Sequence, residues 1–139
     1  MTTPPKEPLA RAGDIAQRVI DATIGLEEIH ELWPRELLDV DPLFAALWSD
    51  LIHVVEHTPG RLFRRGVDYD AYRASGEFAL TRAVQEILAF LEAGGVLLRA
   101  AECYRTVVAP LLTDAEPFSG GGEEGVRARV RTRLLPRMP

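Results

Sequence analysis

The sequence predicts an all-α protein, a compact bundle of four to five antiparallel helices without a sheet. Apolar residues recur at three- to five-residue steps along most of the chain, which is the spacing of helices that pack on a core. Proline and glycine signals separate these stretches. No stretch alternates between apolar and polar residues as a half-buried strand does. With 139 residues, 47% of them hydrophobic and 27% charged, the chain can bury one core.

The first helix is expected after a short arm. Residues 1–8, MTTPPKEP, contain three prolines and no apolar periodicity, so they predict a flexible arm ahead of a bundle domain at residues 9–116. Helical spacing then appears in Ala12, Ile15, Ala16, Val19 and Ile24. Gly25 interrupts the pattern, and a second apolar stripe runs to Pro34, before which a helix is disfavoured.

Asp41-Pro42 is the clearest helix start in the sequence. An aspartate at the N-cap accepts a hydrogen bond from the first turn, and proline is tolerated at the first helical position because that position needs no N–H donor. The helix that begins there is predicted to end at 57, because Thr58-Pro59-Gly60 follows directly.

Two further helices complete the predicted bundle. Asp68 is placed to cap one that ends before Gly94-Gly95, and the last extends from about Val96 to Leu112. Residues 117–139 differ in composition: SGGGEEG is typical of a linker, and VRARVRTRLLPRMP is short and rich in arginine. This segment is expected to be a flexible linker and basic tail.

The charge is distributed unevenly along the chain. Residues 1–60 carry four basic and eleven acidic side chains, a balance of −7, whereas the residues from Pro117 onward have a balance of +3. An acidic first half argues against a nucleic-acid partner, which needs a basic patch, and permits a basic protein partner. An acidic surface that keeps the protein soluble explains the same charge. The acidic residues expected to bind such a partner are Glu27, Glu28, Glu31, Glu36, Asp39 and Asp41. A homodimer is also compatible with the sequence.

The sequence contains no signal for a membrane or for export. No apolar run approaches the ~20 residues that cross a bilayer, and the N-terminal residues do not resemble a secretory signal. Cys103 is the single cysteine, so an internal disulfide is impossible. We therefore expect a cytoplasmic protein.

His53, Glu56 and His57 form the pattern H-x-x-E-H, the spacing of zinc ligands and base in inverted zinc peptidases. On a helical wheel at ~100° per residue, both histidines and Asp50 fall opposite the apolar arc, so they are expected to face solvent. A catalytic zinc needs a third protein ligand and a walled cavity. The sequence offers neither, so zinc bound by Asp50, His53 and His57 is kept only as an alternative.

A second metal pattern is the carboxylate-x-x-histidine spacing of di-iron bundles, which occurs at Glu27 and His30 and again at Asp50 and His53. Ligands of that kind must point into the bundle. The wheel predicts the opposite for Asp50 and His53, and no matching carboxylates stand out on the apolar faces of the later helices.

The remaining candidate residues do not form a pattern that is typical of a catalytic centre. Arg61, Arg64 and Arg65 form a basic cluster that could bind an anion, although a solvated loop that pairs with nearby acids is the favoured explanation. Cys103 is typical of a small core residue, and no serine has a histidine and a carboxylate placed to activate it. A non-catalytic role is therefore favoured. One alternative is a metal-binding helical protein or small metallohydrolase that uses His53, Glu56 and His57, and another is a self-associating structural bundle.

Residues 14–73 resemble, in the rhythm of their elements, small all-helical bacterial proteins of uncharacterised or immunity type. The resemblance consists of a short first helix, an acidic stretch, a D-P-x-F helix beginning at Asp41 and an H-x-P turn at His57-Thr58-Pro59. It implies a protein that neutralises a toxin by capping it. An acidic surface would steer a basic toxin towards the protein.

Overall fold

A computed structural model describes residues 4–21, 23–57, 76–113 and 122–134. Every regular element in these ranges is helical, so the prediction of an all-α bundle without a sheet is confirmed for them. The helices are α1 (Lys6–Ile20), α2 (Leu26–Leu32), α3 (Arg35–Leu38), α4 (Pro42–His57), α5 (Gly76–Glu92), α6 (Leu97–Cys103), α7 (Pro110–Thr113) and α8 (Gly122–Leu134). A π-helical turn, Tyr104–Val108, joins α6 to α7.

Helix α5 is the centre of the bundle. It packs most extensively against α8 and α1, and also against α4 and α6, while α2 and α3 pack on α4. The core side chains of α5 are fully buried because its apolar residues face several neighbours at once. They include Ala83, Val84, Ile87 and Leu88. A hydrogen bond of 2.6 Å from Gln85 Nε2 to Gln17 Oε1 links α5 to α1 at the edge of this core.

Helix α5 ends where Gly94-Gly95 predicted, and for a specific reason. The N–H of Gly94 donates to Leu91 O at 3.0 Å and that of Gly95 to Phe90 O at 2.9 Å, the paired bonds of a Schellman motif. Gly94 has φ +96°, in the left-handed region that favours glycine. At Gly95 a Cβ would lie 2.4 Å from the Phe90 ring, so any side chain there would require that ring to move.

The N-terminal segment differs from the expected arm, since α1 begins at Lys6 and already buries Pro8 and Leu9. Pro8 lies in the first turn, where a missing N–H donor costs no intrahelical hydrogen bond. Glu7 lies in the same turn, where its negative charge interacts favourably with the positive end of the helix dipole.

The C-terminal segment differs more strongly from the flexible tail that was expected at 117–139. Residues 122–134 form α8, in which Val126, Val130 and Leu134 are buried at four-residue steps against the bundle. Glu86 of α5 fixes the helix from the side. It accepts hydrogen bonds from Arg127 Nη2 at 3.1 Å and Arg131 Nη2 at 2.8 Å.

The predicted cap of α4 is present, and its removal is expected to have a measurable cost. The N–H of Leu43 donates to Asp41 Oδ1 at 2.8 Å. We expect Asp41→Ala to lower the free energy of unfolding by about 1 kcal/mol, since one N–H of the first turn loses its acceptor. Urea denaturation measures this. Asp39→Ala removes an exposed carboxylate nearby and serves as the control; an equal loss in both variants would contradict the cap.

Candidate functional site

The H-x-x-E-H segment lies within α4, as predicted, but the exposure expected for nearby Asp50 is wrong. Glu56 is exposed and His53 is half-buried, while the side chain of His57 lies outside the described residues. Asp50 was expected to face solvent and is instead 2% exposed, which corrects that prediction. Asp50 lies at the edge of the apolar arc of α4, ~20° from Leu43. Tyr104 donates its hydroxyl proton to Asp50 Oδ2 at 2.8 Å.

Burial changes the acid–base chemistry of this pair. Burial raises the pKa of Asp50 from 3.8 to about 6, with the Tyr104 hydrogen bond acting in the opposite direction. The pKa of Tyr104 is also raised, first by burial and then by the neighbouring carboxylate. Tyr104 is the first residue of the π-helical turn, in which the N–H of Ala109 reaches back to Tyr104 O at 2.8 Å. The pair is a proton-sensitive contact between α4 and the π-helical turn.

These residues do not assemble a metal centre in the part of the chain that the structure describes. No three side chains of histidine, cysteine, aspartate or glutamate lie close enough there to share an ion. Asp50 faces Tyr104, and His30 lies elsewhere, against the edge of Trp48 with ring centroids 5.6 Å apart. The zinc alternative therefore gains no support from Asp50 as a ligand.

The acidic residues singled out in the sequence converge on α2, α3 and the turn that follows them. This segment packs on the bundle through three almost fully buried side chains spaced four residues apart, Ile29, Trp33 and Leu37. Trp33 also stacks on Trp48 of α4, with ring centroids 6.3 Å apart and planes at 4°. The apolar side therefore fixes α2 and α3 on the bundle, and the acidic side faces out.

Three of the six acidic residues already have partners within the chain. Glu28 accepts a hydrogen bond from the Gly25 N–H at 3.1 Å and one from Arg18 at 3.1 Å; both lower its pKa, the backbone bond more. Glu36 accepts one from Arg11 Nη2 at 2.7 Å. The third is Asp41, which caps α4. These three carboxylates stabilise local structure and are less available to a partner.

The other three carboxylates, Glu27, Glu31 and Asp39, form what we call the acidic face. All are exposed, and none forms a hydrogen bond or ion pair with a residue that the structure describes. Leu32, next to Glu31, is 44% exposed, which is unusual for a leucine at the end of a helix that buries its other apolar side. The sequence indicated that Asp41 caps α4, but it could not show that Glu28 and Glu36 pair with arginines of α1.

The remaining predicted site is not described. Arg61, Arg64 and Arg65 lie outside the described residues, so the anion-binding hypothesis for them stays a prediction.

At the start of α6, Val96 and Leu98 are 54% and 65% exposed. They border shallow grooves, and self-association also stays a prediction. No helix within the described ranges has the length and apolar content to span a membrane.

Comparisons with protein-family models, with curated proteins and with solved structures give no match to this chain. The geometry of the chain itself therefore has to indicate a function.

Proposed function

We propose that the chain is a non-catalytic protein–protein interaction module that binds a basic partner through its acidic face. In the form that the sequence resemblance implies, it is an immunity-type protein of a bacterium, acting in the cytoplasm and capping a toxin. The observation that supports this most is the acidic face itself, in which Glu27 and Glu31 have no ion-pair partner among the described residues and Leu32, next to Glu31, is exposed.

The chemistry of the acidic face fits recognition of a protein. Charged side chains around an apolar contact accelerate encounter with an oppositely charged partner and fix its orientation, while the apolar contact excludes water at the centre. Leu32 would supply that contact, with Glu31 next to it in α2 and Glu27 about one turn before Glu31. Because Ile29 and Trp33 are buried beneath, the face is already ordered before binding, which reduces the entropic cost of association.

The test uses charge reversal with a matched control. We expect Glu27→Lys/Glu31→Lys to weaken capture of the partner at least about tenfold, with the loss mainly in the association rate. Glu56→Lys/Glu102→Lys makes the same change of charge at two exposed positions on α4 and α6 and should bind normally. Untagged protein from its own cells is used for co-purification, followed by surface-binding kinetics at several salt concentrations.

The immunity role is tested separately from binding. Expression of the captured partner alone should stop growth, and coexpression of the wild-type chain, but not of Glu27→Lys/Glu31→Lys, should restore it. Capture that is unaffected by charge reversal would overturn the acidic face as the binding surface. Capture of a partner that is harmless when expressed alone would overturn the immunity role and leave the interaction module in place.

A further inference from the structure

The arginines of α8 fall into two pairs with different surroundings. Arg127 and Arg131 lie four residues apart on the side of α5, where both bind Glu86. Partial burial would raise the pKa of Glu86, but the two guanidinium groups outweigh it and hold that pKa below its usual value. Arg129 and Arg133, also four residues apart, form no hydrogen bond or ion pair with a residue that the structure describes, and both are exposed.

Arg129 and Arg133 border a groove of about 310 Å³ between α8 and the π-helical turn. Its other lining residues are Thr106, Val107, Ala128 and Thr132. The threonine hydroxyls already donate to backbone carbonyls, that of Thr106 to Glu102 O at 3.0 Å and that of Thr132 to Ala128 O at 2.9 Å. The two guanidinium groups are therefore the side-chain donors that remain for a ligand in this groove.

We propose that this groove binds a phosphomonoester dianion whose organic group is small and mainly apolar. Side chains four residues apart on a helix are neighbours, about 5–6 Å between their Cβ atoms, so both guanidinium groups can reach one phosphoryl group. Their planar donor geometry matches phosphate oxygens in a bidentate manner. Val107 and Ala128 supply apolar surface beside them, and the volume is at the lower end for small-molecule sites.

The charge of the chain favours a small dianion over a nucleic acid. The net charge is −5, and a nucleic acid is bound through many phosphate contacts, commonly 6–10. Two arginines match the charge of one phosphomonoester. The π-helical turn forms the opposite wall, and such turns occur frequently at functional sites because they displace side chains from the regular helical register.

The experiment titrates the full chain with phenyl phosphate at low salt, by calorimetry, with phenol as the uncharged analogue. We expect saturable binding with one site per chain, weakened at least about tenfold by Arg129→Gln and by Arg133→Gln. Arg105→Gln is the control, because Arg105 is exposed in the same π-helical turn but borders a different groove. The apolar residues of α8 hold it on the bundle, so these variants should fold, which circular dichroism and melting temperature verify.

Three results would overturn the proposal. One is the absence of saturable binding by phenyl phosphate to the wild-type chain, and another is equal weakening by Arg105→Gln, which would indicate a general effect of charge. The last is tighter binding of a single-stranded oligonucleotide through Arg129 and Arg133, which would make the groove part of a nucleic-acid surface. Phenyl phosphate binding that depends on both arginines, with phenol inactive, supports it.

Discussion

Replacing Asp50 with asparagine is expected to remove a large pH dependence from the stability of the protein. Burial raises the pKa of Asp50 to about 6, whereas in the unfolded chain it lies near 3.8. Between these values the folded state binds more protons than the unfolded state, so the free energy of unfolding falls as the pH rises. The contribution of Asp50 is fully favourable below about pH 4 and is lost as the pH passes through 6.

The size of this effect follows from the shift of the pKa. About two pKa units correspond to roughly 3 kcal/mol in total, of which about 2 kcal/mol is lost between pH 4.5 and pH 8. Asparagine keeps an oxygen that can accept the Tyr104 hydroxyl proton, but it carries no charge to desolvate. We therefore expect Asp50→Asn to be more stable than the wild type at pH 8, by about 1–2 kcal/mol, because its buried N–H₂ costs part of the gain.

Urea denaturation of wild type and Asp50→Asn at intervals from pH 4.5 to pH 8 measures this, and the difference between the two curves isolates Asp50. Asp39→Asn, which removes an exposed carboxylate, should leave the pH profile unchanged. Tyr104→Phe should destabilise the protein more at pH 8 than at pH 5, since only the ionised carboxylate depends strongly on the hydroxyl donor. Parallel curves for wild type and Asp50→Asn would mean that Asp50 is not buried as described.

The burial of Asp50 shows where prediction from the sequence stops. Apolar periodicity placed α4 correctly, and Asp41-Pro42 located its first turn, because both are local signals. Asp50 lies only ~20° from Leu43 on the wheel, at the edge of the apolar arc, so placing it opposite that arc was wrong. The wheel also could not show that Tyr104, 54 residues later, covers that side. The π-helical turn could have been predicted from Pro110. Pro110 lacks an N–H donor, and its ring crowds the carbonyl four residues earlier, so a wider turn before it relieves the contact.

The C-terminal helix α8 was not predicted from the sequence, for a different reason. The four-residue spacing of Val126, Val130 and Leu134 was visible in the sequence, but the glycines before it and the arginines between are typical of a mobile tail. What stabilises α8 is long-range. Its apolar side completes the core around α5, and Glu86 forms ion pairs with two of its arginines. For the acidic face, the sequence predicted the segment, whereas the ion pairs from α1 decided which of its carboxylates remain available.

Val130→Asp is expected to detach α8 from the bundle. Val130 has no exposed surface, and an unpaired carboxylate in that position costs several kcal/mol, which opposes the apolar contacts that hold α8 on the bundle. The reactivity of the Cys103 thiol measures this detachment, because Cys103 is the only cysteine and is fully buried. Its Sγ donates a hydrogen bond to Val130 O at 3.7 Å. Burial raises the pKa of the Cys103 thiol to about 11, which further suppresses its reactivity in the docked state.

The measurement is the rate of thiol modification in native buffer, combined with limited trypsin digestion at the arginines of α8. We expect the wild-type thiol to react slowly and α8 to resist trypsin, while Val130→Asp increases both rates by at least about tenfold. Ala128→Asp adds the same charge at an exposed position of the same helix and should behave like the wild type. If the wild-type chain is already cleaved within α8 as fast as Val130→Asp, the segment is a tail in solution, and the phosphate groove that depends on it does not exist.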